Sequence, residues 1–410
     1  MITVDLKPLV IVLSRNYSTG LGLIRSLGQA GFDVDLVASA RRKNSSAIAS
    51  SSKYTGHTRE FLTPVIYGDE GRDITDYLME EGAKDDRTKV LFPADDYTAS
   101  VVDLNRDLLK EYYLMPEVAG GERGSMTRMM SKDIQGELAR EAGLMRPYET
   151  AVFLGGDLEI PPDLPYPCFV KPLKSVDGEK TEMAVAGSCD ELMAVLQGMK
   201  AQFSERSVLV QEFLDIEKEY DVGGVCLGDE VIIPGVIEKT HIAEHERGVT
   251  MAGRMISKDI LGDALPKLES MLKSMGLKGM FDLEFNLSGG RLYFNEINFR
   301  SGGPHYFYYL NGVNLPALFV KSLLGLDTSE DNREIKEFGR TFVYEKVAWE
   351  DHINGFMTRK ELTEVIDSAD FTLLANADDP APGRIFSRKI RLSMLKHRLL
   401  NLLKRKNHGR

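Results

Sequence analysis

Cysteine is scarce in this 410-residue chain, with only Cys168, Cys189 and Cys226 present. They stand too far apart for a CxxC pair, and each lies in or beside an apolar run. The reading is three small buried hydrophobes in a reducing compartment, which excludes a disulfide scaffold. Long apolar runs are missing too, since none approaches the ~18 residues of a membrane span. The start shows no hydrophobic leader: Leu9–Leu13 is only strand-length, and Asp5 precedes it. Positive charge is also in deficit. The 51 Lys and Arg face 62 Asp and Glu, a net charge of −11, which argues against general nucleic-acid binding. No internal repeat is visible. The expectation is a cytoplasmic protein of two or three domains, its hydrophobic content of 43% and charged content of 28% being those of a globular chain.

That charge is unevenly spread. Arg384–Arg410 holds ten Lys or Arg and no acid, leaving 41 Lys and Arg against 62 acids, or −21, on residues 1–383. In the tail, Leu392, Leu395, Leu399, Leu402 and Leu403 fall on one helical stripe over Ile390–Leu403. Arg391, Lys396, Arg398 and Lys404 lie largely outside it. Two expectations compete: a helix docked on the acidic body through its leucines, or peripheral contact with an anionic membrane.

The first residues read as strand Leu9–Leu13, loop Ser14–Gly22, helix Leu23–Ala30 ended by Gly31, and strand Val34–Ala38. This lead-in suggests a doubly wound unit. Gly20-Leu21-Gly22 lacks the third glycine and the acidic strand end of a dinucleotide fingerprint. Asp95-Asp96, after strand Val90–Pro93, would suit contact with a substrate, but an ordinary acidic loop end is the commoner meaning and the favoured one. His241 and His245 are spaced for one helix face, but the order is not HExxH and no third ligand is evident, so zinc is not expected.

Two lysines are harder to dismiss. Ser131 suits a helix N-cap, which puts Lys132 in the first turn, where the helix dipole disfavours a cation unless a phosphate is near. Lys171 closes the apolar strand Pro167–Val170 in front of Pro172, where its ammonium must find an anion or water. Lys174–Thr181 follows as a polar loop suited to a lid over phosphates. Ser188 and Glu191 form a capping box. Strand Ser207–Leu214 and a hairpin about Gly228-Asp229 come next.

The chain seems organised around Met280–Arg300. Phe281, Leu283, Phe285 and Leu287 alternate with Asp282, Glu284 and Asn286, the period of a half-buried strand. After Ser288-Gly289-Gly290, a second strand carries Glu296, Asn298 and Arg300 at alternate positions. Folding about Gly290 sets Glu284 against Glu296 and Asp282 against Asn298. Opposed like charges repel unless a cation lies between them. Hard oxygens of this kind suit magnesium or manganese held partly by a substrate phosphate. An ordinary solvated hairpin would show the same alternation, and the rest of the chain decides between the two.

Together these parts resemble the ATP-grasp superfamily, and more narrowly its carboxylate–amine ligases, over roughly Leu9–Leu326. The stretches Tyr293–Gly303 and Tyr309–Pro316, with Glu-Ile-Asn-x-Arg and Leu-Asn-Gly-x-Asn-Leu, look like those of bacterial D-aspartate ligases. The resemblance implies an α/β (α+β) ATP-grasp architecture. Its parts would be a doubly wound domain at 1–118, a catalytic region with lid and metal hairpin at 119–326, a small extension at 327–383 and the basic tail at 384–410. It implies ATP and two Mg2+ (or Mn2+) ions as cofactors, carboxylate and amine substrates, and room for a homodimer. Lys132 and Lys171 would hold ATP phosphates. Gln211 and the Glu212, Phe213 and Leu214 backbone would face adenine, and Glu219 the ribose. Glu284, Glu296 and Asn298 would bind metal, and Arg300 would hold the transferring phosphate or the acyl carboxylate. The lid is poorer in glycine than many, and the Glu212–Glu219 spacing is a little long. Other expectations are a catalytically silent ATP-binding module, a ligase of another carboxylate such as an L-amino-acid dipeptide synthetase, and biotin-dependent carboxylation.

Overall fold

The computed structural model describes residues 7–15, 17–40, 45–62, 71–173, 183–202, 205–246 and 248–407, with only the backbone for 397–407. The expected lid, Lys174–Thr181, therefore lies outside the described residues.

Five strands, β1 (Leu9–Ser14), β2 (Asp33–Ala40), β3 (Thr55–Leu62), β4 (Lys89–Pro93) and β5 (Tyr113–Leu114), form a parallel sheet in the order β3-β2-β1-β4-β5. β1 is apolar at Leu9–Leu13 because both faces are covered, and all six of its residues are buried. The expected loop over Ser14–Gly22 is instead mostly helix, which spans Tyr17–Gln29. Its glycines serve close packing. A Cβ on Gly20 would sit 2.8 Å from the Ser14 hydroxyl, and one on Gly22 would sit 3.0 Å from the Tyr306 Cβ.

A second sheet, in the order β6-β9-β7-β8, is antiparallel: β6 (Glu149–Phe153), β7 (Cys168–Pro172), β8 (Ala184–Ala186) and β9 (Ser207–Glu212). It encloses its own small core around Val152, Val170, Leu192 and Val210. The Ser188 side chain caps the following helix by accepting from the Glu191 N–H, while the Glu191 carboxylate reaches Gly187 N. Cys189, in the first turn of that helix, is exposed, whereas Cys168 and Cys226 are buried as expected. A helix start is half-open to solvent whatever its flanking run suggests.

The third sheet has eight strands. They are β10 (Lys218–Leu227), β11 (Val231–Ile232), β12 (Val236–Ile242), β13 (Thr250–Ile256), β14 (Lys278–Ser288), β15 (Arg291–Asn298), β16 (Thr341–Val343) and β17 (Phe371–Thr372). The order is β15-β14-β10-β12-β13-β16-β17, with β11 beside β10. His241 lies in β12 and His245 beyond it, so they share no helix; His245 Nδ1 meets Asp351 at 2.5 Å.

Residues beyond 326 close the molecule on itself. One core joins Val10, Val12 and Ile24 of the parallel-sheet layer to Phe342, Val347, Leu374 and Phe386. Arg25, wholly buried, donates to Asp379 Oδ2 at 2.9 Å and to the carbonyls of Leu373, Leu374 and Asp379 at 3.0 Å. The last helix runs Pro380–Asn407, well before the expected start at Ile390. It docks through buried Phe386 and Ile390 and half-buried Met394, while Leu392 and Leu395 are 60% and 56% exposed. Over the side chains described, the helix thus docks through Phe386, Ile390 and Met394 and not through Leu392 and Leu395. No helix among the described residues is long and apolar enough to cross a membrane.

Candidate active site

The hairpin β14–β15 turns on Gly289 and Gly290, both at positive φ (55° and 70°), as a two-residue turn of opposite hand demands. From that turn the register is regular as far as Phe285 opposite Phe294. It then slips by one, and Glu284 faces Glu296 and Asp282 faces Asn298. Asn295 is the extra residue, a bulge that re-aims side chains. Its amide donates to Glu284 Oε2 and its Oδ1 accepts from Lys171 Nζ, both at 3.2 Å. Arg146 grips the bulge from outside, Nη1 donating to the Asn295 carbonyl at 2.5 Å and to that of Phe294 at 3.1 Å. Arg146 is paired in turn with Glu149, which also accepts from Gln211 Nε2 at 2.9 Å.

Helix Lys132–Glu141 is pinned to the same strand. Gln135 bonds both the carbonyl and the N–H of Ile297, at 2.8 and 3.1 Å, as another strand would. One turn earlier, Lys132 Nζ lies 2.7 Å from Glu296 Oε2. Ser131 has the extended backbone of an N-cap but makes no capping bond; its hydroxyl turns to Asp133.

The second glutamate has its own lysine, which sequence reasoning missed. Lys239 of β12 lies 2.9 Å from Glu284, 3.2 Å from Glu219 and 3.2 Å from Asp221. Burial works against its charge, but the three carboxylates raise its pKa well above the ordinary lysine value. Burial pushes the Asp221 carboxyl up to about 7 against the pull of Lys239. Burial and the neighbouring Lys132 bring Lys171 down to about 8. Burial would raise Glu296, yet Lys132 and Lys171 hold it at about 2.

Arg300 bridges two layers, Nε to Asp96 Oδ1 at 3.1 Å and Nη1 to Asp282 Oδ2 at 2.5 Å. Asp96 is therefore not an ordinary loop acid. Asp282 also meets His305 Nε2 at 3.1 Å. Despite its burial, its contacts with His305 and Arg300 hold it well below the usual carboxylate range. Asn298, buried, faces Asp282 across the hairpin. On the small sheet, the Glu212 N–H donates to the Tyr148 carbonyl at 2.8 Å and the Phe213 N–H to that of Pro167 at 3.0 Å. Those two donors are spoken for, and Leu214 follows beyond the strand.

The structure thus gathers Lys132, Lys171, Glu219, Glu284 and Glu296 into one charged cluster, with Gln211 joined through Glu149 and Arg300 through Asp282. Asn295, Lys239, Asp96 and His305 complete it. Among the described residues no three of His, Cys, Asp and Glu converge to hold a metal unaided. Two carboxylates and an amide on one face do suit magnesium, which ordinarily takes one or two carboxylates and completes its shell with phosphate oxygens and water.

Solved structures share this arrangement of layers. An L-amino acid ligase from Bacillus licheniformis superposes with TM-score 0.61 and 16% identity, over 83% of this chain and 79% of that one. The biotin carboxylase domain of Hydrogenobacter thermophilus 2-oxoglutarate carboxylase, solved with MgADP, ADP and bicarbonate, gives TM-score 0.61 at 15% identity over 81% and 73%. The chain has the ATP-grasp fold. A third ATP-grasp neighbour, N5-carboxyaminoimidazole synthetase from Staphylococcus aureus complexed with ADP, gives TM-score 0.59 at 16% identity over 82% of each. No family model matches the sequence. By sequence, the carbamoyl phosphate synthase large chain of Halobacterium salinarum is 25% identical over 320 residues, 75% of this chain and 29% of that protein. That of Clostridium beijerinckii is 28% identical over 199 residues, 47% and 18%. The matched stretch is thus under a third of the length of either relative.

Proposed function

We propose that this chain is an ATP-dependent carboxylate–amine ligase, forming an amide through an acylphosphate with release of ADP and phosphate. The observation that carries the proposal is the paired cluster: Glu296 faces Lys132, and Glu284 faces Lys239, around the bulge at Asn295. A carboxylate is a poor acyl donor and must be activated, and phosphoryl transfer asks for positioning and charge neutralisation more than covalent chemistry. Lys132 and Lys171 would turn to the phosphates, and Glu284, Glu296 and Asn298 would hold Mg2+, which supplies charge neutralisation. Arg300, fixed by Asp96 and Asp282, would clamp the acylphosphate. Gln211 and the Glu212–Leu214 segment would border adenine, and Glu219 the ribose. The resemblance of Tyr293–Gly303 and Tyr309–Pro316 to D-aspartate ligases supports D-aspartate or a similar small amino acid as acyl donor, serving a peptide or cell-envelope precursor in the cytoplasm. The likeness to an L-amino acid ligase supports dipeptide synthesis as the second reading. Peripheral contact with anionic lipid is supported by exposed Leu392 and Leu395 among Arg388, Arg391 and Lys396, all exposed.

Hydroxylamine added with MgATP and a panel of D- and L-amino acids tests the mechanism. A hydroxamate dependent on both ATP and acid is expected, with ADP and phosphate as co-products. AMP and pyrophosphate would mean adenylation and overturn the proposal, and a bicarbonate requirement would mean carboxylation.

A further inference from the structure

The last helix and the loop before it border an open groove that the chemistry above does not use. Loop Ala375–Ala377 forms one wall, and Arg384, Ser387, Arg388 and Arg391 the other, around about 720 Å³. That is the scale of small-ligand sites, ~300–1,000 Å³, and more than a bare phosphate fills. Both walls are held in place. Asn376 donates from Nδ2 to the Tyr306 hydroxyl at 3.0 Å and accepts at Oδ1 from the N–H groups of Asp378 and Asp379. The Ala375 N–H donates to Glu345 Oε1 at 2.8 Å. Gly383 lets the helix approach this loop, where a Cβ would lie 3.2 Å from the Ala375 Cα. Buried Phe386 and Ile390 fix the helix to the body.

Positions 384, 388 and 391 fall within about 60° of arc on a helix. All three arginines are exposed, and none is ion-paired among the described residues. The two acids after the loop are committed elsewhere. Asp378 takes Lys53 Nζ at 2.7 Å and the Tyr54 hydroxyl, and Asp379 takes Arg25 and the Ser52 hydroxyl at 2.9 and 2.7 Å. Three guanidinium forks exceed what the two oxygens of a carboxylate can use, whereas a phosphate monoester presents three acceptor oxygens and up to two charges. The −21 on residues 1–383 repels an extended polyanion and leaves a small one to enter. Position 395 lies in the same arc, and Leu395 and Leu392 are 56% and 60% exposed. The arginine face thus continues into apolar side chains that nothing covers among the described residues, a surface that an acyl chain would fill and a soluble ester would leave in water.

We propose that this groove binds the phosphate monoester head of a lipid, with Arg384, Arg388 and Arg391 on the phosphate and Leu392 and Leu395 towards the acyl chains. The inference deepens the lipid contact proposed above and rests on it, not on the ligase chemistry. Full-length protein is sedimented at physiological salt with phosphatidylcholine vesicles carrying either phosphatidic acid or phosphatidylglycerol at equal surface charge. Phosphatidic acid should bind at least about tenfold more tightly, because its phosphate is a monoester open to several forks. Arg388→Gln should weaken that binding at least about 20-fold, the scale of lost charge-assisted hydrogen bonds. Lys396→Gln, exposed but outside the groove, should cost no more than about fivefold, the effect of one charge near an anionic surface. Arg388→Lys should lose the preference between the two lipids, since an ammonium keeps the charge but not the fork. Melting temperatures of all three variants should match the parent's. Equal losses in Arg388→Gln and Lys396→Gln overturn the proposal, and no binding of the parent to either vesicle overturns it together with the lipid contact. Equal affinity for the two lipids, still abolished by Leu392→Asp with Leu395→Asp, removes the groove and keeps the lipid contact. Glycerol 3-phosphate that binds in calorimetry as tightly as the vesicles overturns the lipid assignment. Absence of hydroxamate would sink the ligase reading and leave this site standing.

Discussion

Glu296→Gln keeps the shape of the hairpin and removes one charge, so its two consequences can be separated. Lys132 at 2.7 Å and the nearby Lys171 bring the Glu296 carboxyl from 4.5 to about 2 although burial opposes them. By linkage that depression corresponds to about 3 kcal/mol of stability, in line with the ~3–5 kcal/mol for breaking a buried pair. A glutamate depressed in the folded state contributes fully above its unfolded value. The loss in Glu296→Gln should therefore be about 3 kcal/mol at pH 7 and shrink as pH falls from 4.5 towards 2. Urea unfolding of parent and variant at pH 7 and pH 3 measures it. The protein should stay folded at pH 7, since domains commonly hold ~5–15 kcal/mol. ADP formation, by contrast, should fall at least ~100-fold, the scale of a lost transition-state contact. Turnover within about threefold of the parent, or ~0.65 kcal/mol, would refute the metal role. A pH-independent stability loss would refute the ion-pair account.

Three further outcomes are expected. Lys171 must be charged to grip phosphate and titrates near 8, so MgATP affinity should be level below pH 8 and fall by up to about tenfold per pH unit above it. Lys171→Ala should abolish that slope and weaken binding in calorimetry, while exposed Lys360→Ala should do neither. Deleting Asn295 should re-pair Glu284 with Glu296 in a regular hairpin yet withdraw the amide from Lys171 and Glu284. Activity should then fall at least ~100-fold, whereas retained activity would make the bulge incidental. Leu392→Asp with Leu395→Asp should weaken sedimentation with anionic vesicles at low salt without lowering the melting temperature; unchanged sedimentation would remove the lipid contact.

The hairpin was legible because its alternation is strict before the turn and an acid, an amide and an arginine recur at alternate positions after it, at Glu296, Asn298 and Arg300. Even the bulge left a trace: the apolar positions of the second strand run Leu292, Phe294, then Ile297, Phe299, a skip of parity at Asn295. Lys239 left none, since its partners Glu219, Asp221 and Glu284 meet it only when β10, β12 and β14 lie side by side. Asp96 and His305 were opaque for the same reason, each finding its partner across elements. The helix at Tyr17 was misread because glycine counts as a breaker locally, while here it admits Ser14 and Tyr306 against the helix. In the tail, leucine spacing suggested the buried stripe, but the body accepts Phe386, Ile390 and Met394.

The Arg25–Asp379 pair joins residues 354 apart, and that separation becomes time on the ribosome. At ~5–20 residues per second, the first helix waits roughly 20–70 s for its counter-ion to be synthesised. The parallel sheet can form meanwhile, but among the described residues the arginine of its helix is ion-paired only to Asp379. The early layer is thus held short of its final packing until the last helix begins. A nascent chain released before residue 379 should remain protease-sensitive at Tyr17–Gln29, and the full-length chain should not.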